Sequence, residues 1–567
     1  MKKFDITSAL SALEAEIQQS LPRQTMTEGH PWYGAYISPE TGVDEAGHVG
    51  TSRLLASCGL LLIARQTQPE LAAAAPATAE LLERMSAAAD YLLRVQRDTG
   101  LIDLRNVNYD SAPDTGFAVQ LLCAFYDLAQ DDEVFEALLP KLETFLRRAA
   151  PGLLAGGFHT PNHRWVIVAA LAQTAALFPD IDVKDTVRAY LDEGFDVDEE
   201  GTYLERSIGV YDAVTNRSLL LLAEHWNVPG DLENIRTAVE ANLTFNLHFF
   251  HADGTAETGL SRRQDWGTRN VPVPLIASYL HAAALWPNDL FVRAAQWLWA
   301  RAPVEQSGEF WQTYVLLKYG EPATSSADLP EQYRKHYPLN KVWRVREGDL
   351  SATVYGSTSN LMSLVYGEAE LASVKISQTY FGIGNFVGDE LEVEGERATL
   401  HYHGSLKLHR PGYELPLGRP VARDEWEAAR QVRNYKPLSS LLSKLAIQAV
   451  EGGFDCHYET LDGLENVLTQ IAFDFPAGGM WETADCAVRT APGQVMFLKR
   501  GEGRRSFGND HIAISPGANG HLYEHMRASD EVAPGLCRVL LTFATPASHR
   551  FSLRVFRGIP MPGHDEI

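Results

Sequence analysis

At 567 residues the chain is too long for one ordinary hydrophobic core, so at least two domains are expected. It carries 49 Lys and Arg against 73 Asp and Glu, a formal net charge of -24. That balance argues against nucleic acid as a partner, because phosphates are held by a basic stripe, and any acidic ligand must be met by a local basic cluster.

The N-terminus, Met1-Lys2-Lys3 followed by Phe4-Asp5-Ile6-Thr7, has charge but no apolar segment behind it, and no later stretch is apolar enough to span a bilayer. No membrane partner is expected, and a cytoplasmic location is the simplest reading, with secretion left open for a trimmed chain. Cys58, Cys123, Cys456, Cys486 and Cys537 are scattered and odd in number, which suits reduced core thiols better than disulfides. The oligomeric state is not encoded in any visible pattern.

From about residue 50 to 320, apolar residues recur at three and four, as in Leu81-Leu82-Met85-Ala89-Leu92-Leu93 and Ala118-Leu121-Leu122-Phe125-Leu128. That spacing predicts helices over 53–67, 78–97, 115–130, 132–149, 163–178, 183–195, 208–225, 230–246, 272–285, 288–301 and 307–319. Helices in such a series stack as hairpins, either as an open solenoid or closed into an (α/α) toroid. The loops favour closure around a site. His30-Pro31-Trp32-Tyr33, Asn106-Val107-Asn108-Tyr109-Asp110 and Phe158-His159-Thr160-Pro161-Asn162-His163-Arg164-Trp165 concentrate sugar-binding side chains where connectors are ordinarily small and polar.

A polar stretch around Glu321–Asp328 ends this character, and residues 326–340 read as a linker after a toroid of residues 1–325. From Lys341 to 567, period-two segments dominate, including Val342-Trp343-Arg344-Val345 and Arg538-Val539-Leu540-Leu541-Thr542-Phe543. They predict an antiparallel β-sandwich, interrupted by a helical excursion around 422–448. The fold class is therefore α+β multidomain, an N-terminal (α/α) toroid followed by a C-terminal antiparallel β-sandwich.

Four segments could carry chemistry. In the first, Asn162 is placed to cap a helix, a structural role that would explain it alone. It does not explain why His159, His163, Arg164 and Trp165 crowd the same turn. The second runs from Glu205-Arg206-Ser207 to Tyr211 and enters another helix, where a tyrosine is ordinarily core packing. In the third, Arg262, Arg263 and Arg269 surround Gln264 and Trp266, so guanidinium groups could grip a carboxylate or sulfate while the indole stacks on a sugar face. A solvated, salt-bridged loop is the alternative. The fourth, Thr379-Tyr380-Phe381-Gly382-Ile383-Gly384-Asn385, has glycines that permit sharp turns toward the toroid.

A toroid followed by a β-sandwich, with Asn162-His163 opening one helix, Glu205-Arg206-Ser207 and Tyr211 downstream, and Tyr380 at the head of the β domain, resembles the heparinase II/III-like superfamily of polysaccharide lyases. The resemblance of layout covers nearly the whole chain. It implies a lyase that cleaves uronic-acid-containing, glycosaminoglycan-like chains by β-elimination, leaving unsaturated uronate ends. The acidic poly- or oligosaccharide would lie between toroid and β domain. Asn162 and His163 would stand at the carboxylate, Tyr211 would be the acid, and His163 or Tyr380 the base or second proton carrier. Trp32, Tyr109, His159, Arg164, Trp165, Glu205, Arg206, Arg262, Arg263, Gln264, Trp266 and Asn385 would bind the substrate. One departure matters. Many members of the superfamily have a histidine in the glycine-rich turn where this chain has Gly384-Asn385-Phe386, so either Tyr380 compensates or Tyr211 serves as both base and acid in a syn elimination.

The residue types suit that chemistry. The C5 proton is acidified only when the adjacent carboxylate is hydrogen-bonded or neutralised, and the C4–O bond breaks as a phenol protonates the leaving oxygen. No cofactor is expected. A structural zinc on His401, His403 and His409 is the less favoured reading, behind surface histidines. The rival activities are a toroid glycoside hydrolase of glucuronyl hydrolase type, using Asp110, Asp212 or Asp265, and a glycan-binding protein without turnover.

Overall fold

The computed structural model describes residues 5–39, 42–67, 76–157, 160–303, 309–381, 384–404, 408–409, 418–431, 436–526 and 529–558. The chain divides into two compact units, the first built from residues 1–250 and 254–330, the second from 251–253 and 331–567.

Among the described residues of the first unit are twelve α-helices: α1 (Ile6–Ser20), α2 (His48–Thr67), α3 (Thr78–Val95), α4 (Ala112–Ala129), α5 (Leu139–Ala155), α6 (Pro161–Leu177), α7 (Lys184–Asp192), α8 (Tyr211–His225), α9 (Pro229–Leu247), α10 (Val273–Leu285), α11 (Asp289–Trp299) and α12 (Phe310–Tyr319). The even-numbered helices pack in a ring, each on the next, and α12 closes on α2. The odd-numbered helices form an outer layer against them. Composition explains the sorting. In α6 every residue from Arg164 to Thr174 is buried, so no polar stripe is available for solvent, whereas α3 buries only one side, at Leu81, Met85, Tyr91 and Leu92 among others.

The even-numbered helices run in one direction, as contacts at both ends show. Near their N-termini the ring of Phe117 meets His163 at 6.3 Å. The Arg217 guanidinium lies 5.8 Å from the Phe117 ring and 5.0 Å from that of Trp311. At the C-terminal ends Lys318 Nζ bonds Asp127 at 2.6 Å and also Glu224, which lies 3.2 Å from His281 Nε2.

The second unit holds two large sheets. One orders its eight strands as 495–497, 536–544, 468–476, 369–378, 362–366, 350–355, 342–347 and 332–337. The other orders nine as 390–394, 397–403, 441–450, 453–463, 548–557, 510–515, 503–507, 480–483 and 487–489. Pairing is antiparallel except between 495–497 and 536–544. Alternate residues, such as Leu445, Ile447 and Ala449 on one strand and Leu553 and Val555 on another, form the apolar layer. An antiparallel sandwich preceded by an (α/α) toroid is the architecture the sequence predicts.

Several elements differ from expectation. Helix α1 was not anticipated, although Asp5 caps it and Leu10, Leu13 and Ile17 form its buried stripe. The stretch Gln332–Tyr337, expected within the linker, is an edge strand paired with Val342–Glu347. Among the described residues the excursion at 422–448 holds a helix over Trp426–Gln431, and Leu441–Val450 is a central strand. Asn162 is not a cap, because α6 begins at Pro161 after Thr160 and the Asn162 amide donates rather than accepts. Four of the five cysteines are buried, Cys486 is exposed, and none is in a disulfide.

Candidate active site

Two loops of the first unit are tied together before they present any chemistry. Asp265, which is 4 % exposed, accepts hydrogen bonds from Ser207 Oγ (2.8 Å), Ser261 Oγ (2.5 Å) and the Gly209 amide (3.0 Å). The approach is close enough that a Cβ on Gly209 would fall 2.8 Å from the Asp265 carboxylate. Ser207 in turn accepts from the amide of Tyr211 at 3.0 Å and so anchors the start of α8. Arg206, in the same loop, sits at φ +52°, a left-handed conformation that costs a non-glycine residue free energy and recurs at functional sites.

From this frame four side chains interlock. The buried Glu205 carboxylate accepts from Asn162 Nδ2 (2.7 Å) and from Arg263 Nη1 (2.8 Å). Burial raises its pKa, and the bonds from Asn162 and Arg263 oppose that shift. The Arg263 guanidinium stacks 4.1 Å from the centroid of the Tyr211 ring. The Tyr211 side chain is partly exposed and its hydroxyl makes no hydrogen bond among the described residues. Asn162 is fully buried, donates also to Thr160 Oγ1 (3.0 Å), and leaves its Oδ1 without a partner.

Beneath Tyr211 lies a buried polar network. Tyr203 donates to Asn216 (2.8 Å), Asn216 to Asn242 (2.8 Å), and Asn242 to Asp212 (3.1 Å) and the Gly201 carbonyl (3.0 Å). Asp212 is 1 % exposed, and burial pushes its pKa up to about 7. Such a network fixes the first turn of α8 in one arrangement.

Cationic groups collect around the same helix ends. Arg206 and Arg262 carry no ion pair among the described residues, and burial together with the neighbouring Arg262 lowers the Arg206 pKa. Burial pushes Arg217 down to about 10, and its nearest acceptor is the neutral Gln120 Oε1 at 3.3 Å. The N-termini of parallel helices add partial positive charge at this end.

Asn162, Glu205, Tyr211 and Arg263 thus come together, with His163, the residue after Asn162, against Phe117 of α4. Gln264 and Trp266 are exposed on the Arg263 loop. Trp32 lies 6.0 Å from the Arg105 guanidinium, and the exposed ring of Tyr109 is covered by Arg97 at 3.9 Å. His159 lies outside the described residues.

Other expectations need correction. Trp165 is 1 % exposed, stacked on Phe195 at 5.0 Å and donating to Asp196, and Arg164 is paired with Glu193 (2.7 Å) and Asp196 (2.6 Å). Arg164, two residues after Asn162, falls on the other side of the helix, and Trp165 is held away from Asn162 by its stacking on Phe195 and its bond to Asp196. Tyr380 belongs to the sandwich core beside Tyr402, and its hydroxyl donates to the Ser439 carbonyl. Asn385 bonds Ser377 (3.2 Å) and Asp530 (3.3 Å) within the same unit.

Phe117 and Trp311 were not anticipated. The signal for Trp311 was present, since Glu309-Phe310-Trp311 opens an inner helix with polar and aromatic residues, as Asn162-His163 does. Among the described residues one group of potential metal donors is close-set, Asp127, Glu224 and His225, and Lys318 Nζ already lies between Asp127 and Glu224. His401 bonds Glu392 at 3.3 Å, with His403 6.3 Å away centroid to centroid.

Among solved structures the chain is similar in fold to heparinase III (13 % identity, TM-score 0.53, covering 90 % of this chain and 77 % of that one). It is similar also to the chondroitin AC lyase of Streptomyces coelicolor A3 in complex with chondroitin sulphate (11 % identity, TM-score 0.54, covering 98 % and 81 %). The fold is therefore that of these toroid and β-sandwich polysaccharide lyases. No protein-family model and no curated protein sequence matches the chain.

Proposed function

We propose that this protein is a polysaccharide lyase that cleaves uronic-acid-containing, glycosaminoglycan-like chains by β-elimination. The observation that carries the reading is the linkage Asn162–Glu205–Arg263–Tyr211, which brings a phenol with an unengaged hydroxyl under a guanidinium at the end where the inner helices begin. On this reading the uronate carboxylate is held by the Asn162 N–H that otherwise bonds Thr160, and His163 stands neutral beside C5. Stabilising the developing enolate lets His163 take the C5 proton. The electron pair forms the C4–C5 double bond, the C4–O bond breaks, and Tyr211 gives its proton to the departing oxygen. Arg263 offsets the charge left on the phenol. Arg206 and Arg262 draw the polyanion toward an otherwise acidic molecule.

The carboxylates a hydrolase would use speak for elimination. Asp212 and Asp265 are buried and hydrogen-bonded within the protein, and Asp110 is bound by Thr99 Oγ1 at 2.5 Å. Purified protein is incubated with hyaluronan, chondroitin sulfates, heparan sulfate and alginate while ultraviolet absorbance is followed. A growing absorbance from unsaturated uronate is the expected result. New reducing ends without absorbance would indicate hydrolysis, and binding without either product would indicate a lectin-like role.

A further inference from the structure

The nine-stranded sheet turns one side to the sandwich core and the other to solvent. On the solvent side a groove is lined by Arg397, Gln448, His457, Ser552, Arg550 and Arg554, with Ala446 and Ser515 in its floor. Strand register sets their spacing: Arg397 lies opposite Gln448, Gln448 opposite Asp455, and Asp455 opposite Ser552, while Ala446 and Arg550 flank His457. Elsewhere on this sheet cations have partners within the protein, acids as in Lys444–Glu459 (3.1 Å), Arg504–Glu482 (2.7 Å) and Arg557–Asp510 (2.7 Å), or backbone carbonyls as for Arg489 and Arg505. In the groove the single lining acid, Asp455, is taken by Arg554 at 2.5 Å, and Arg397 and Arg550 have no ion pair among the described residues. Two unmatched arginines across small polar floor residues are unexpected in a chain of net charge -24.

We infer that this groove is a second, non-catalytic binding site for an acidic oligosaccharide. Arg397 and Arg550 stand on strands separated by two others, so about 14 Å of sheet lies between their strands at the usual strand spacing. A single phosphate or sulfate cannot bridge that span, whereas a chain with repeated carboxylates or sulfates meets both. Ser552, Ser515 and Gln448 offer partners for sugar hydroxyls, and His457, whose pKa is lowered by burial and by the surrounding cations, accepts or donates a hydrogen bond without adding charge. The groove lining includes no exposed aromatic ring, which sets it apart from a platform for nucleic-acid bases. The ligand class rests on the lyase reading, but the groove is built from the second unit alone.

The test uses the full chain carrying Tyr211→Phe to prevent turnover, with and without Arg397→Ser and Arg550→Ser together. Affinity for heparan sulfate and chondroitin sulfate polymers is measured by titration across a salt series. The double substitution should weaken binding roughly tenfold and reduce the slope of log affinity against log salt by about 2. An unchanged unfolding temperature certifies the fold. Unchanged affinity and slope would overturn the proposal, as would displacement of the polymer by inorganic phosphate as effective as by a sulfated octasaccharide, or by DNA. If no polymer yields unsaturated product with Tyr211 intact while the double variant still loses affinity, the groove stands and the lyase reading falls.

Discussion

Tyr211 and Asn162 reach one constellation from different helices, and each can be removed without disturbing the other's backbone. Tyr211→Phe keeps the ring against Arg263 and deletes only the hydroxyl, so kcat on the cognate polymer should fall on the order of 100- to 10,000-fold while affinity changes little. Asn162→Ala should lower kcat on the order of 100- to 1,000-fold, because carboxylate charge grows toward the transition state. Steady-state kinetics with direct binding checks both. An Asn162→Ala variant that lost affinity with unchanged turnover would make Asn162 a binding residue only. Much of this was legible in the sequence, since Asn162 and Tyr211 open helices in polar, aromatic company. What sequence could not supply was direction. Arg164 and Trp165 share the loop with Asn162, but their partners Asp196 and Phe195, which lie beyond the neighbouring outer helix in sequence, take them up. The glycines around Tyr380 suggested a turn into a cleft, yet the ring is apolar enough to complete the sandwich core.

At the scale of elements, the toroid places helix N-termini around Tyr211 and the corresponding C-termini around a buried ionic floor. There Glu224 sits among His281, Lys318 and Tyr314. Burial alone would raise its pKa, but the close approach of His281, with the charges of His225 and Lys318, holds it well below the usual range. A carboxyl depressed in the folded state stabilises the protein above its unfolded pKa of about 4.3 and loses that contribution as pH falls toward the folded value. The wild-type unfolding temperature should therefore drop as pH is lowered below about 5. In Glu224→Gln this acid-dependent decline should be shallower. At neutral pH the variant should be less stable by about 2 kcal/mol, less than the loss of a fully buried pair because Lys318 keeps Asp127 and some solvent. Calorimetry across a pH series checks both statements. The helices were readable as runs of spacing three and four, and the inner ones carry their own signal, since α2 and α4 are buried on every side where the outer helices keep a polar stripe. The strand Leu441–Val450 read as helical because Leu441, Leu442, Leu445 and Ile447 satisfy both periods, and only pairing with neighbouring strands decides between them.

At the scale of the whole molecule, net charge and local charge act on a polyanion in opposite directions. A chain of -24 repels an acidic glycan at distances comparable with the Debye length, about 30 Å at 0.01 M salt, while Arg206 and Arg262 attract it within a few ångströms. Salt weakens both forces but not equally. Raising ionic strength from about 0.01 M to about 0.1 M shortens the screening length to about 10 Å and removes mainly the long-range repulsion. Further salt then erodes the contacts themselves. The expected profile of kcat/KM against ionic strength therefore rises, passes through a maximum near physiological salt and falls. Replacing Arg206 and Arg262 by Ala should raise KM by on the order of tenfold at the maximum. It should also flatten the falling limb, because fewer attractive contacts remain to be screened. The rising limb should survive, since it belongs to the charge of the whole chain. Kinetics at several salt concentrations on both proteins separate the two effects, and a falling limb of equal steepness in the variant would show that other residues grip the polyanion.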